Sequence, residues 1–352
     1  MKKKGIFRLA GSICALSFVA VFILALSIPV QAAEQKPFEL TISTIPAGFA
    51  SYVMGVALAE QINKNSKWLK ATASEGRGPA EHMKTLIKKP EKRKNYLFFN
   101  STWDIWEAKK QLGTYKGFPF NYDEFRFVTL LGIAGNGLCT LDPNIKAGKD
   151  LVGKKAIFDS GKGKGRQMAY DGVLESAGVP VDKIKFQYAS GKAAADNLRD
   201  GLVEVIYTGH ILKKLPDVYG NSPFQAELVA TKKVYFLSFD AKDVKAFKEK
   251  TGHPVALVKV PPKMLGPLQT QPTGILIKPL GFAAHISMPD EVVTEILRVV
   301  YENVDKFKEY TFMGNILTQK TMASLSVPAS SYHPAAVKFY NEKGIKITGF
   351  DQ

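Results

Sequence analysis

The chain has 352 residues, 45% hydrophobic and 23% charged, which excludes an intrinsically disordered protein and allows one or two well-filled domains. Its 48 Lys and Arg against 32 Asp and Glu give a net charge of +16, and removing the four basic residues before Leu9 leaves about +12. That surplus either serves solubility or favours an anionic partner.

Lys2, Lys3, Lys4 and Arg8 precede an uncharged run that lasts until Glu34. This is the layout of a secretory signal peptide. The stretch from Leu9 to Ile28 is also long enough to span a bilayer, so a retained anchor is the alternative. Pro29 breaks the helix, and Val30-Gln31-Ala32-Ala33 offers small residues at the positions a signal peptidase reads. Cleavage is therefore expected near Ala32 or Ala33, removing segment 1–33 and leaving a periplasmic protein. Cys14 lies early in the apolar run without the residues that precede a lipid-attachment cysteine. Export sets nucleic acid aside as the anionic partner and leaves lipid headgroups or a small solute. After cleavage one cysteine remains, Cys139, which cannot form an internal disulfide and reads as a buried strand residue.

From Phe38 onward short apolar runs alternate with helical ones, the rhythm of an α/β protein with largely parallel strands. Phe38 to Ile42 alternates as a strand, Ser43 to Ala50 is a loop of small residues, and Tyr52, Val56, Ala59 and Ile62 recur at helical spacing. The unit repeats at Ala156-Ile157-Phe158, followed by a glycine-rich loop from Asp159 to Gly165 and a helix stopped by Gly178. It appears again from Ile184 to Tyr188, where Ser190 is placed to cap a helix running to about Asp200 and Val203 to Tyr207 forms the next strand. Asp290 opens an amphipathic helix through Val292, Ile296 and Val300, and a last helix is expected from Tyr332 to Lys343.

Ligands of such sheets collect at the carboxyl ends of the strands, beside the helix N-termini. The loop Ser160-Gly161-Lys162-Gly163-Lys164-Gly165-Arg166 sits at such a place. Glycines there let backbone N–H groups turn toward a ligand, and three cationic side chains favour negative charge. It lacks the Gly-Lys-Ser/Thr of a Walker loop, and Arg166 stands where a dinucleotide fingerprint needs its third glycine. The competing reading is a solvated turn whose lysines contact nothing. Polar loops at Ser43-Thr44, Ser74 to Gly78, Asn100 to Asp104 and Tyr207 to His210 occupy equivalent positions, and each could equally serve as turn or cap. Trp103 and Trp106 are spaced so that one can enter the core and the other a cleft.

Signals for catalysis are poor. His82, His210, His253, His285 and His333 show no metal-ligand spacing, no Gly-x-Ser-x-Gly elbow occurs, and Asp104 has no carboxylate partner in the sequence. A binding protein without cofactor or metal is expected rather than an enzyme.

Thr44, Gly48 and Tyr52, followed by Gly55-Val56-Ala57-Leu58-Ala59-Glu60-Gln61-Ile62-Asn63, resemble the opening glycine-rich loop and helix of the TAXI solute receptors of TRAP transporters. Later segments agree in order. Ser74 to Gly78 is similar to that family's second loop, Asp159 to Gly163 to its Gly-x-x-Gly-Ser-Gly loop, and Asn197 to Val205 to its strand entry. The ending Val327-Pro328 and His333-Pro334-Ala335-Ala336-Val337-Lys338-Phe339-Tyr340-Asn341-Glu342-Lys343-Gly344 resembles the family's Pro-x-His-Pro-Gly-Ala-x-x-Tyr-Tyr-x-Glu-x-Gly, with the histidine bracing the last helix. The resemblance implies a type II periplasmic-binding-protein fold, α/β in class, with a ligand cleft and hinge between two lobes. It implies lobe I from 34–135 and 275–352, lobe II from 136–274, and a TRAP membrane permease with fused small and large subunits, driven by an ion gradient. Relatives take glutamate-like or dicarboxylate solutes. Ser43, Ile45, Pro46, Phe49 and Ser51 depart from the family's glycine run, which closes off part of the backbone approach.

The expected ligand-binding residues are Ser43, Thr44, Gly48, Tyr52, Arg77, Asn100 and Ser101 from lobe I. Lobe II contributes Ser160, Lys162, Gly163, Lys164, Gly165, Tyr207 and Thr208, with Arg77 or Lys162 as the main anion contact. An exported sensor or partner protein of the same fold, without a permease, fits the same residues.

Overall fold

The computed structural model describes residues 37–47, 49–214, 218–347 and 349. Segment 1–33, expected to be the signal peptide, and Gly48 lie outside the described residues.

The first half of the chain runs β1 (Phe38–Ser43), α1 (Ala50–Asn65), β2 (Leu69–Ser74), α2 (Pro79–Lys88), β3 (Tyr96–Ser101), α3 (Thr102–Lys109) and β4 (Phe125–Thr140). It continues through β5 (Lys155–Ile157), α4 (Gly165–Ser176), β6 (Lys185–Gln187), α5 (Gly191–Arg199), β7 (Val205–Lys214), β8 (Val218–Asn221), α6 (Pro223–Thr231), β9 (Tyr235–Leu237), α7 (Ala241–Thr251) and β10 (Ala256–Val260). The long β11 (Thr273–His285) then leads to α8 (Asp290–Glu302), α9 (Val304–Tyr310) and α10 (Pro334–Glu342).

Pairing joins these strands into one continuous eleven-stranded sheet whose two halves follow the same plan. Lobe I has the order β2-β1-β3-β11-β4, with β1 parallel to β2 and β3 and with β11 antiparallel to its neighbours. Lobe II has the order β6-β5-β7-β4-β9, with β5 parallel to β6 and β7 and with β4 antiparallel to β7 and β9. Each lobe thus takes as its fourth strand one that belongs to the other stretch of chain. This interleaving is the type II periplasmic-binding arrangement, and β4 and β11 are its crossing strands.

The two crossing strands stay paired from Phe125 opposite His285 to Asn136 opposite Leu276, with register shifts at Leu280/Gly281 and Phe282/Ala283. Such irregularities bend a ladder and raise its twist, which lets one pair of strands serve both halves of the sheet. Glycines make the crossing tight. A Cβ on Gly135 would meet Ile275 and His210, and one on Gly137 would lie 2.9 Å from Thr208 Oγ1.

Each lobe has its own core. Ile42, Leu58, Phe98, Phe127, Val293 and Tyr340 belong to the cluster of lobe I. Ile157, Tyr170, Val173, Ile206 and Phe247 belong to that of lobe II, and a small cluster with Ile133, Leu212, Ile275 and Ile277 seals the crossing. At roughly 1.5–3 kcal/mol per buried large aliphatic or aromatic side chain, these clusters supply the main favourable term for folding.

The local chemistry explains the elements with few exceptions. α8 buries Val292, Val293, Ile296 and Val300 and carries Asp290 and Glu291 in its first turn, as its periodicity requires. The residue before α5 is Ser190, but its hydroxyl makes no capping bond. His333 does cap α10, since its Nδ1 accepts from the Ala335 N–H at 3.3 Å. Tyr340 then anchors α10 to β4 by donating to Val128 O at 2.6 Å. The C-terminal motif is therefore a brace for lobe I.

Candidate functional site

The lobes meet where α3 of lobe I faces the first turn of α4 of lobe II. Ser101 ends β3 and caps α3, accepting from the Asp104 N–H at 3.1 Å and donating to the Asp104 carboxylate. Asn100 is held by the same turn, its Oδ1 accepting from the Ser101 N–H at 2.8 Å. These two bonds fix the start of α3 and so the direction of the side chains one turn on.

Those side chains are Trp103, Asp104, Trp106 and Glu107. Trp103 is 1% exposed and packs within the core cluster of lobe II, although its helix belongs to lobe I. Its ring lies 5.3 Å from His253, and the Trp106 ring lies 4.7 Å from the same imidazole. Lys278 of β11 reaches over the Trp103 ring at 5.6 Å and stands 4.0 Å from Asp104 Oδ2. Glu107 is 2% exposed, and a Cβ placed on Gly165 would collide with its carboxyl group. A Cβ placed on Gly113, past the end of α3, would likewise collide with the backbone of Gly163.

On the side of lobe II, Arg166 lies across the face of Tyr207, with the guanidinium 3.9 Å from the ring centroid, and its Nε donates to Asn136 Oδ1 at 3.1 Å. The Tyr207 hydroxyl accepts from the Gly191 N–H at 2.5 Å. Thr208 Oγ1 and His210 Nε2 are 2.7 Å apart, and His210 Nδ1 is 2.9 Å from Asn221 Oδ1.

The electrostatics follow from burial. Burial, with the Asp104 carboxylate next, pushes the Glu107 carboxyl up to about 9. Burial and the nearby Lys278 ammonium lower His253 to about 3. Burial lowers His210 to about 4. Burial works against the charge of Arg166, but Asp159, Tyr170 and Tyr207 more than offset it. The junction therefore holds a cationic Arg166 and Lys278, neutral imidazoles, and an acid driven toward its uncharged form.

Among the described residues, several buried polar side-chain atoms without a hydrogen-bond partner sit on elements that meet here. They are Thr102 Oγ1, Trp103 Nε1 and Glu107 Oε1 on α3, Asn136 Nδ2 on β4, and both ring nitrogens of His253. A buried donor or acceptor left unpaired costs about 1–3 kcal/mol, so such a cluster marks a place built to receive hydrogen bonds. Two open surface hollows, of about 440 and 570 Å³, lie elsewhere, along α10. Of the residues lining the first, Arg126 alone has such an atom, its Nε. The lobe junction is the better candidate.

The expected site residues separate into groups. Asn100, Ser101, Gly163, Gly165, Tyr207 and Thr208 lie at the junction, but Asn100, Ser101, Tyr207 and Thr208 spend polar groups on protein partners. Ser43 and Thr44 are buried beside the second loop, where Thr44 O lies 2.6 Å from His82 Nε2 and Thr44 Oγ1 donates to Ser74 O at 3.2 Å. Tyr52 is half-buried on α1, and Arg77 is exposed on the loop before α2. Ser160, Lys162 and Lys164 are exposed, and Lys164 Nζ donates to Ser160 Oγ at 2.9 Å. Glu107, Asn136, Arg166, His253 and Lys278 are the junction residues that the expected set omits. The signal for Arg166 was present, since it ends the glycine-rich loop; the others come from elements distant in sequence.

No curated protein matches the chain. Among solved structures it is similar to MatC from Rhodopseudomonas palustris with bound malate, at 13% identity, 87% of this chain and 97% of that one, TM-score 0.49. It is also similar to a TctC solute-binding protein from Polaromonas, at 15% identity, 79% and 88% coverage, TM-score 0.48. The periplasmic aliphatic sulphonate-binding protein SsuA from Escherichia coli matches at 12% identity, 88% and 79% coverage, TM-score 0.46. The profile of one family spans residues 42–344, nearly all of both lobes, and the chain belongs to that NMT1-like family.

Proposed function

We propose that this protein is a periplasmic solute receptor that closes its lobes around a small carboxylate-bearing molecule and presents it to a membrane transporter. The observation that carries this reading is the set of unpartnered buried polar atoms on α3, β4 and His253, gathered where the strands cross and flanked by Arg166 and Lys278. A two-lobed body with its unsatisfied groups at the hinge is suited to capture by closure. The lobe boundaries proposed at residues 135 and 275 fall within β4 and β11. The ordered motifs of the TAXI receptors favour a TRAP permease with fused subunits as the partner, and the basic n-region favours export with cleavage near Ala32 or Ala33.

Arg166 rather than Arg77 or Lys162 is the proposed anion contact, because its guanidinium is at the junction while the other two side chains are exposed. Native mass spectrometry of the protein purified from its own periplasm tests the reading. The expected result is a co-purifying carboxylate whose retention is lost in Arg166→Gln and kept in Arg77→Gln. A neutral or cationic solute, or retention unchanged in Arg166→Gln, would overturn it.

A further inference from the structure

The glycine-rich first turn of α4 has the chemistry of an anion site, and the group that covers it is the protein's own. Glu107 comes from the opposite lobe, is 2% exposed, and rests against Gly165, the first residue of α4, with Oε1 unpartnered. A glutamate on α3 would be hydrated if the lobes were apart, since its carboxyl group lies against α4. Closing the lobes therefore strips water from this carboxyl group and gives Oε1 no hydrogen bond in return.

We propose that Glu107 couples closure to a proton: the lobes shut with its carboxyl group uncharged, so each closing event takes one proton from solvent and each opening returns it. This inference rests on the two-lobed receptor reading. The surroundings agree with it. Asp104 on the same helix, Tyr115 on the following turn and Asp159 after β5 disfavour a negative charge or add none that is positive. Lys278 on β11 opposes them, but its nearer acid is Asp104, at 4.0 Å. Arg166, next to Gly165, directs its guanidinium to Tyr207 and Asn136 instead. Lys164 is turned onto Ser160. Burial with Asp104 raises the group from its ordinary 4.5 to about 9, which sets the window.

Below the ordinary carboxyl value both forms hold the proton, and closure is insensitive to pH. Between that value and the raised one only the closed form holds it, so the closed-to-open ratio falls about tenfold per pH unit. Above the raised value both forms are ionised and the ratio is again constant, at its lowest.

Small-angle scattering of the mature chain from pH 5 to pH 9 tests this without a known solute. The wild-type radius of gyration should increase across the range, while Glu107→Gln, which keeps the shape and removes the titration, should stay compact throughout. Gly165→Ala leaves the acid untouched and places a methyl group against it. By weakening closure that variant should move the wild-type expansion to lower pH, which keeps the test decisive if Glu107→Gln fails to fold. A wild-type radius that does not change with pH, or a pH profile unaltered in the folded variants, would overturn the assignment. Solute retained in the native mass spectrum together with a pH-independent radius would remove this inference alone and leave the receptor reading standing.

Discussion

Trp103→Ala is the substitution that most directly separates a closure contact from a folding contact. The indole is carried by α3 of lobe I, yet it is 1% exposed and packs in the core cluster of lobe II beside His253. In an open form the ring would be hydrated on α3, so its removal would cost that form little. Truncating a buried tryptophan to alanine costs about 3–5 kcal/mol. The unpartnered Nε1 places this site toward the lower end, because burying an unpaired N–H works against the packing. The closed-to-open ratio should therefore fall by roughly two to three orders of magnitude, at about 1.4 kcal/mol per factor of ten. Solution scattering should show an extended molecule, and the emission of Trp106, which loses its packing against His253, should shift to the red. Far-ultraviolet dichroism should be unchanged, because the core clusters of both lobes otherwise remain complete. If Trp103→Ala scattered like the wild type and kept its Trp106 emission, the reading of α3 as a clamp between lobes would be refuted. If it simply unfolded, the ring would be a core residue of a single rigid body.

Tyr340→Phe should lower the thermal midpoint without affecting closure. It removes the donor to Val128 O at 2.6 Å, at a cost of about 1–3 kcal/mol, while Met322 O keeps the Leu130 N–H and Thr129 Oγ1 as donors. The buried imidazoles predict acid sensitivity: burial lowers His82 and His210 to about 4 and His253 to about 3, so the unfolded chain binds more protons below their ordinary value of 6.5. Their contribution should be fully present above about pH 6.5 and fall as pH drops toward 4, read as a decreasing urea midpoint, with His82→Gln losing part of that slope.

Much of the architecture was legible because local pattern and tertiary role agree. Phe38 to Ile42 alternates and forms β1, and the spacing of Val292, Ile296 and Val300 puts one face of α8 in the core. The sixteen-residue β4 was not legible as one strand, because Gly132, Gly135 and Gly137 break the pattern of a strand in a window of sequence. They are there for the close approach of Met313, Ile275 and Thr208, which is a property of the crossing and not of the segment. The site divides in the same way. The loop before α4 could be read as receptive to an anion, but nothing near it in sequence says that Glu107 lies upon it. An acid on a short helix that also holds Asp104 and Lys109 reads as solvent-facing, yet its carboxyl group is buried against Gly165 of the second lobe. Ser101 stands where a binding residue would, and the start of α3 uses its hydroxyl as a cap.

The positive charge of the chain and the charge of its junction play different parts. At the junction Arg166 and Lys278 are set among Asp104, Asp159 and an uncharged Glu107, so the interior is close to balanced, while Lys162, Lys164 and Arg77 are exposed. Exposed charges act over the Debye length, about 30 Å at 0.01 M salt and 3 Å at 1 M, whereas a partly buried guanidinium is screened far less. The exterior cations should therefore steer an anionic solute, and Arg166 should retain it. Stopped-flow measurement with the solute identified by native mass spectrometry should show an association rate that falls with salt and a dissociation rate that does not. Arg166→Gln should reverse the pattern, raising dissociation and leaving the salt dependence of association in place. Salt acting mainly on dissociation would mean that the exposed lysines hold the solute themselves, and the division between steering and binding would fail.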